Sequence, residues 1–420
     1  MTIRFSRAGA WPALFLLAAC ATVQAPPAGQ AGTSHPVPVL LVSIDGLRTD
    51  ALGSGTMPTL DAVAAAGVHA DWMNPSYPTL TFPNHYTLVT GLRPDRHGIV
   101  NNTMLDPELG RVSLRNRDAV TDARWWGGKP AWVTLQEHGG RAATMFWPGS
   151  EAPIAGQYPR DWLPFDASVT ANERVDQILA WLDREPPQRP QLLTLYFDEV
   201  DHEEHSWGPG SVQALNAQAN VDAALARLLS GLAARDMRDD VDLILVSDHG
   251  MAAVPPGQRE YLDDWLAAKG LTIDAVDVVT GGSSMGVNPA EGADAAAVEA
   301  ALAGRHAHGE CWRKQDLPAR WHYGSHPRVP AIVCQADVGW LLWVRRPDQK
   351  TGTHNTGAHG YAPELPEMRA VFVADGPSFR EGVRMPAFDN VDVYPLLMRL
   401  LDVPAEPNDG NPHTFDNVLH

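Results

Sequence analysis

The chain has 420 residues, 44% of them hydrophobic and 20% charged, which suits a globular protein of one large domain or two medium ones. Its formal charge of −18 excludes a protein that coats nucleic acid, because binding a phosphate backbone needs a basic face. Small anionic substrates stay open where metal ions supply local positive charge.

Residues 1–20, MTIRFSRAGAWPALFLLAAC, read as a targeting segment rather than as fold. Arg4 and Arg7 precede an apolar run too short to span a bilayer. Leu17-Ala18-Ala19-Cys20 resembles a bacterial lipobox, in which Cys20 would be lipidated and become the mature N-terminus. A secretory signal cleaved near Ala25 is the alternative. Residues 21–36, ATVQAPPAGQAGTSHP, lack charge and read as a flexible linker. The expectation is an exported protein of the bacterial periplasm or cell surface, attached to the membrane through its N-terminal lipid alone.

From residue 37 the pattern changes. VPVLLVSIDGL (37–47) is an apolar run ending in Asp-Gly, as a buried parallel strand entering a loop would be. MPTLDAVAAAGV (57–68) is helical with a glycine stop, and the second half of YPTLTFPNHYTLVTG (77–91) also reads as a helix. LLTLYFDEVD (192–201) and VDLILVSDHG (241–250) repeat the strand-then-acid pattern around a long amphipathic helix, 211–236. MRAVFVADG (368–376) is a further strand and VDVYPLLMRLL (391–401) a closing helix, leaving 406–420 as a tail. Alternating strands and helices imply an α/β fold with a mostly parallel sheet sandwiched by helices, over 37–405.

Residues of about 260–350 break this rhythm and read as a smaller cap subdomain inserted before the last strand. They hold an Ala-rich helix (294–303) and the only cysteines besides Cys20, Cys311 and Cys334. In an exported chain such a pair reads as a disulfide rather than a metal site, and closing that loop contributes about 3 kcal/mol in the chain-entropy model.

Three strand ends carry acids, Asp45, Asp201 and Asp248, where open α/β sheets collect ligands. His205 follows Asp201 by four residues, His249 follows Asp248 directly, and His359 stands in GAHGYAP. Three carboxylates and three imidazoles make the inventory of two metal sites, suited to zinc, with manganese or iron as other options. Taken singly, an Asp-His pair or an Asp-Gly turn reads equally well as structural.

Together, IDGLR, PTLTFPNHYTLVTGLRPDRHGI, WWGGKPAW, FWPGS, YFDEVDHEEHSWGP, SDHGM and GAHGY resemble the nucleotide pyrophosphatase/phosphodiesterases of the alkaline phosphatase superfamily, over nearly all of 37–405. The resemblance implies that superfamily's fold and two zinc ions. One would be held by Asp45, Asp248 and His249, the other by Asp201, His205 and His359, with His354 a rival for the last place. It implies Thr81, directly before Phe-Pro-Asn, as a nucleophile forming a covalent phospho-threonine. It further implies that Asn102 and the Phe82 N–H hold a non-bridging phosphate oxygen, although Asn101-Asn102 by itself reads as a turn. Phe82 and an aromatic in a W-L-P-Y motif would clamp a nucleobase. This chain reads DWLPF, so Phe165 takes that place without a hydroxyl, and its alternative is a core residue.

The implied activity is hydrolysis of nucleotide phosphodiester or pyrophosphate bonds, releasing nucleoside 5′-monophosphates. A choline-type phospholipid or glycerophosphodiester diesterase on the same fold is the alternative, followed by a phosphomonoesterase and a surface lipoprotein that has lost catalysis. A sulfatase would carry a Cys-x-Pro-x-Arg or Ser-x-Pro-x-Arg nucleophile motif; none of the three cysteines fits, and the threonine site speaks against it.

Overall fold

The computed structural model of the chain describes residues 37–345 and 356–420. Cys20, the signal segment, the linker to residue 36 and His354 lie outside the described residues. Among the described residues no helix is long and apolar enough to cross a membrane.

VLLVSI forms the strand Val39–Ile44, buried along its whole length because both faces of its sheet are covered. Val39 and Leu41 enter one core with the helices Thr81–Thr90, Ala131–Glu137 and Val393–Leu400. Leu40, Val42 and Ile44 alternate into the other, with Pro58–Ala66, Ala171–Leu182 and Val212–Ala233. The two-residue period of one strand thus builds both sides of a helix–sheet–helix sandwich.

The sheet has eight strands, in the order Val383–Met385, Val68–Ala70, Phe372–Asp375, Asp242–Val246, Val39–Ile44, Leu192–Phe197, Ala142–Met145, Asp161–Trp162. Among these Phe372–Asp375 alone runs against the rest, so the sheet is mostly parallel. Val39 pairs with both Leu192 and Asp242, which brings the carboxyl ends of three central strands together. Asp45 leaves the first directly. Asp201 departs from the expected strand end: the strand stops at Phe197, and Asp201 lies in the first turn of the helix Glu199–Trp207. That places Asp201 and His205, four apart, on one helix face.

Within the expected cap, a five-stranded antiparallel sheet runs Val276–Thr280, Ser284–Pro289, Ile332–Ala336, Gly309–Arg313, Gly304–His306 over its own apolar cluster. Cys311 and Cys334 face each other on neighbouring strands and form the expected disulfide. Two strands of the main sheet follow this segment, not one. Residues 406–420 do not trail away, since Phe415, Val418 and Leu419 are buried in the main core.

Candidate active site

Leu80 is extended, Thr81 is the first residue of the helix Thr81–Thr90, and Gly91 ends it in the left-handed region at φ +65°. Pro83 falls in the first turn, where a missing N–H costs no helical hydrogen bond. The other threonines of this stretch are engaged in structure. Thr79 Oγ1 donates to the Tyr361 carbonyl at 2.9 Å and accepts the Gly360 N–H at 2.9 Å, while its own carbonyl accepts from His359 Nδ1 at 2.8 Å. Thr87 meets the buried His97, and Thr90 bonds back to the Tyr86 carbonyl. Thr81 Oγ1 instead lies 3.4 Å from His249 Nε2.

The structure brings the six candidate ligands into two groups, Asp45–Asp248–His249 and Asp201–His205–His359, each with one donor atom per residue within 4.8 Å of the others. Gly46 permits this convergence: its φ is +73°, and a Cβ there would lie 3.1 Å from Asp201 Cβ. His202, beside the second group in sequence, is exposed.

All three histidines are oriented by backbone carbonyls. Nδ1 lies 2.9 Å from the Gly357 oxygen in His205, 3.0 Å from the Gly250 oxygen in His249 and 2.8 Å from the Thr79 oxygen in His359. A carbonyl only accepts, so Nδ1 carries the hydrogen and Nε2 turns toward the carboxylates. Nε2 of His205 and of His359 each stand 3.5 Å from Asp201 Oδ1. Burial, then His249 and His205, push the His359 imidazole well below its ordinary pKa, so its neutral lone pair faces a carboxylate oxygen. Such a contact is repulsive until a cation joins it.

Other observations agree. Asp45 Oδ1, Asp201 Oδ1 and Asp248 Oδ2 are buried without a hydrogen-bond partner. Burial, then Asp248 and Asp201, raise the Asp45 carboxyl well above the usual range. Burial works the same way on Asp248, but His249 and His85 outweigh it and hold that carboxyl well below. Burial opposes the imidazolium of His249, and Asp248 more than offsets it. Orphaned carboxylate oxygens crowded with tautomer-locked imidazoles fit two divalent cations.

Beside Thr81 opens a cavity of about 290 Å³, lined by Phe82, Phe146, Trp147, Phe165 and Tyr196 among others. Phe165 packs against Phe146 and Tyr196 with ring centroids 5.3 and 6.0 Å apart, yet remains 36% exposed, so it lines the cavity rather than filling a core. The Phe82 N–H donates to Asn102 Oδ1 at 3.2 Å, so the two groups expected on one phosphate oxygen are neighbours, here bonded to each other.

Two features escaped the sequence reading. Tyr196 lies in an apolar strand and reads as core, yet its hydroxyl donates to Asp45 Oδ2 at 2.6 Å. Glu151, buried at the cavity wall, accepts the Phe165 N–H at 3.2 Å and pairs with Arg117.

Residues 39–362 match the family model described as type I phosphodiesterase / nucleotide pyrophosphatase. The chain belongs to this family. It is 35% identical over 386 residues to a venom phosphodiesterase of Naja atra, covering 91% of this chain and 46% of that protein. It is 35% identical over 393 residues to an uncharacterized pyrophosphatase/phosphodiesterase of Schizosaccharomyces pombe, covering 91% and 79%. The chain thus spans about half the length of several curated relatives it matches. Murine ectonucleotide pyrophosphatase/phosphodiesterase 5 shares its fold with a TM-score of 0.85 at 34% identity, over 91% of this chain and all of that one. An inactive threonine-to-alanine form of that murine protein, in complex with AMP, superposes with a TM-score of 0.84 at 33% identity, with the same coverage. The family and this fold place the chain in the alkaline phosphatase superfamily.

Proposed function

We propose that this chain hydrolyses nucleotide phosphodiester or pyrophosphate bonds and releases nucleoside 5′-monophosphates, using two zinc ions. Asp45, Asp248 and His249 would hold one ion, and Asp201, His205 and His359 the other. The observation that carries this reading is Thr81 Oγ1, 3.4 Å from His249 Nε2 of the first group and on the wall of an aromatic cavity. The relatives' names and the AMP bound by the inactive murine protein point the same way.

Bound there, the cations supply positive charge that favours an ionised hydroxyl and offsets the charge of phosphate. Thr81 Oγ1 forms a bond to phosphorus while the leaving oxygen departs with its electron pair, giving a phospho-threonine. Water then attacks that phosphorus, and the threonine hydroxyl is regenerated. The helix Thr81–Thr90 would turn the positive end of its dipole toward the phosphate. Asn102 adds a neutral donor, matched to a diester's single negative charge. Phe82 and Phe165 offer faces on which a base stacks.

The cavity favours nucleotides over choline esters. Its carboxylate, Glu151, is already paired with Arg117, and Arg115 adds a second cation to the wall. Those two guanidiniums oppose a quaternary ammonium, which the aromatic rings alone would accept. The test compares p-nitrophenyl thymidine 5′-monophosphate with p-nitrophenyl phosphorylcholine, with and without chelator and added zinc. Zinc-restored preference for the thymidine ester is expected, and preference for the choline ester would overturn the reading. Bis(p-nitrophenyl) phosphate turned over no better than p-nitrophenyl phosphate would instead favour a monoesterase.

The signal ending at Cys20 supports export with lipid attachment to that residue. A Cys20→Ser chain should move from the membrane to the soluble fraction, and unchanged partition would remove the anchor.

A further inference from the structure

Three elements must stay in register for the site to work. The strand Val39–Ile44 delivers Asp45, the strand Asp242–Val246 delivers Asp248, and the helix Thr81–Thr90 delivers Thr81. One side chain outside both ligand groups touches all three. His85, one helical turn beyond Thr81, is wholly buried. Its Nδ1 lies 2.9 Å from the Thr81 carbonyl oxygen and 3.3 Å from Asp248 Oδ2. Its Nε2 lies 2.8 Å from Ser43 Oγ, on the residue two before Asp45.

These partners settle the tautomer. The Thr81 carbonyl only accepts, so Nδ1 carries the hydrogen and Nε2 accepts from the Ser43 hydroxyl. The ring is gripped edge-on by Trp147 and Tyr196, with centroids 5.1 Å away in both cases. Ser43 and Tyr196 are register partners on adjacent strands, so the sheet itself sets the seat of the ring. Asp248 Oδ1 meanwhile accepts the Gly46 N–H at 3.2 Å. Asp248 Oδ2, the oxygen without a hydrogen bond, is met by His85 Nδ1 at 3.3 Å and by His249 Nε2 at 2.9 Å.

We propose that His85 is a positioning residue, which fixes the first turn bearing Thr81 and the rotation of the Asp248 carboxylate relative to the strand that bears Asp45. A histidine serving only as core filling would need neither the Asp248 contact nor a serine at its far nitrogen. The inference rests on the metal reading given above and adds a residue with no ligand role of its own.

The test uses His85→Leu, which keeps bulk without polar atoms, and His85→Asn, whose amide nitrogen falls near the Nδ1 position. For each, zinc affinity is measured by chelator competition, kcat and KM by steady state, and Tm by calorimetry. His85→Leu should weaken the binding of one zinc about 10–100-fold and lower kcat by a similar factor, with KM changed less than about threefold. His85→Asn should recover most of both losses. Should His85→Leu not fold, Ser43→Ala releases only Nε2 and should shift zinc affinity and kcat the same way, by about two- to fivefold. Wild-type zinc affinity and kcat in folded His85→Leu, or in Ser43→Ala, would overturn the inference, as would equal losses in His85→Asn and His85→Leu. A wild-type chain that binds no zinc would sink the metal reading and this inference together, so the two failures are told apart.

Discussion

Tyr196 donates its hydroxyl to Asp45 Oδ2 at 2.6 Å from a ring that also lines the aromatic cavity. One side chain therefore joins the substrate wall to a candidate ligand carboxylate, and it leaves Asp45 Oδ1 as the oxygen without a partner. Tyr196→Phe removes that bond and keeps the wall. Zinc retention against chelator should fall about 10–100-fold and kcat with it, while KM for a nucleotide ester moves less than about threefold. Unchanged zinc retention would show that the hydroxyl does not orient Asp45.

Thr81 is the one threonine of its stretch whose hydroxyl faces the ligand groups rather than the scaffold. Thr81→Ala should cost about a thousandfold or more in kcat with both zinc ions still bound, and Thr81→Ser should keep measurable turnover. Acid quenching during turnover, followed by mass spectrometry, should find a phosphorylated peptide containing Thr81. Full turnover by Thr81→Ala would remove it as nucleophile.

The central strands of the main sheet were legible because they are unbroken apolar runs, as burial on both faces demands; Val68–Ala70, Ala142–Met145, Asp161–Trp162 and Val383–Met385 are too short to show such a run and were not. The candidate ligand residues other than His359 stood out because they follow those runs, whereas their grouping needed the family motifs. Asp201 was placed one step off, since a short apolar run followed by acids does not show where strand yields to helix. The antiparallel sheet around Cys311 and Cys334 was not legible, because strands such as SMGVNP and GECWR mix glycine and polar residues with the apolar ones. Tyr196 and His85 were hidden for another reason. One reads as apolar strand and the other as helix interior, and only tertiary contact shows what their polar atoms do.

Phe165 occupies the place where the motif carries a tyrosine, and it keeps a face open to the cavity. Stacking on a base contributes about 1–3 kcal/mol. Phe165→Ala should thus raise KM for p-nitrophenyl thymidine 5′-monophosphate about 5–100-fold and leave methyl p-nitrophenyl phosphate, which has no base, nearly unchanged. Equal losses on both esters would assign Phe165 to the scaffold instead.

His97 offers a test of stability that leaves the ligand groups alone. Its Nδ1 accepts the Ile99 N–H at 3.1 Å, and its Nε2 meets Thr87 Oγ1 at 3.1 Å. Burial, helped by His326 and Arg328 nearby, lowers its pKa from the ordinary 6.5 to about 3. The folded chain therefore holds His97 neutral at a pH where the unfolded chain protonates it. This contribution to stability is whole above about pH 6.5 and falls as pH drops toward 3, at up to about 1.4 kcal/mol per pH unit. His97→Asn keeps an acceptor for Ile99 and does not titrate. Urea unfolding at pH 7.5 and pH 5 should show the wild type losing stability more steeply than His97→Asn, even if the variant starts lower. Parallel losses in the two proteins would mean that His97 is not the group whose protonation opposes folding.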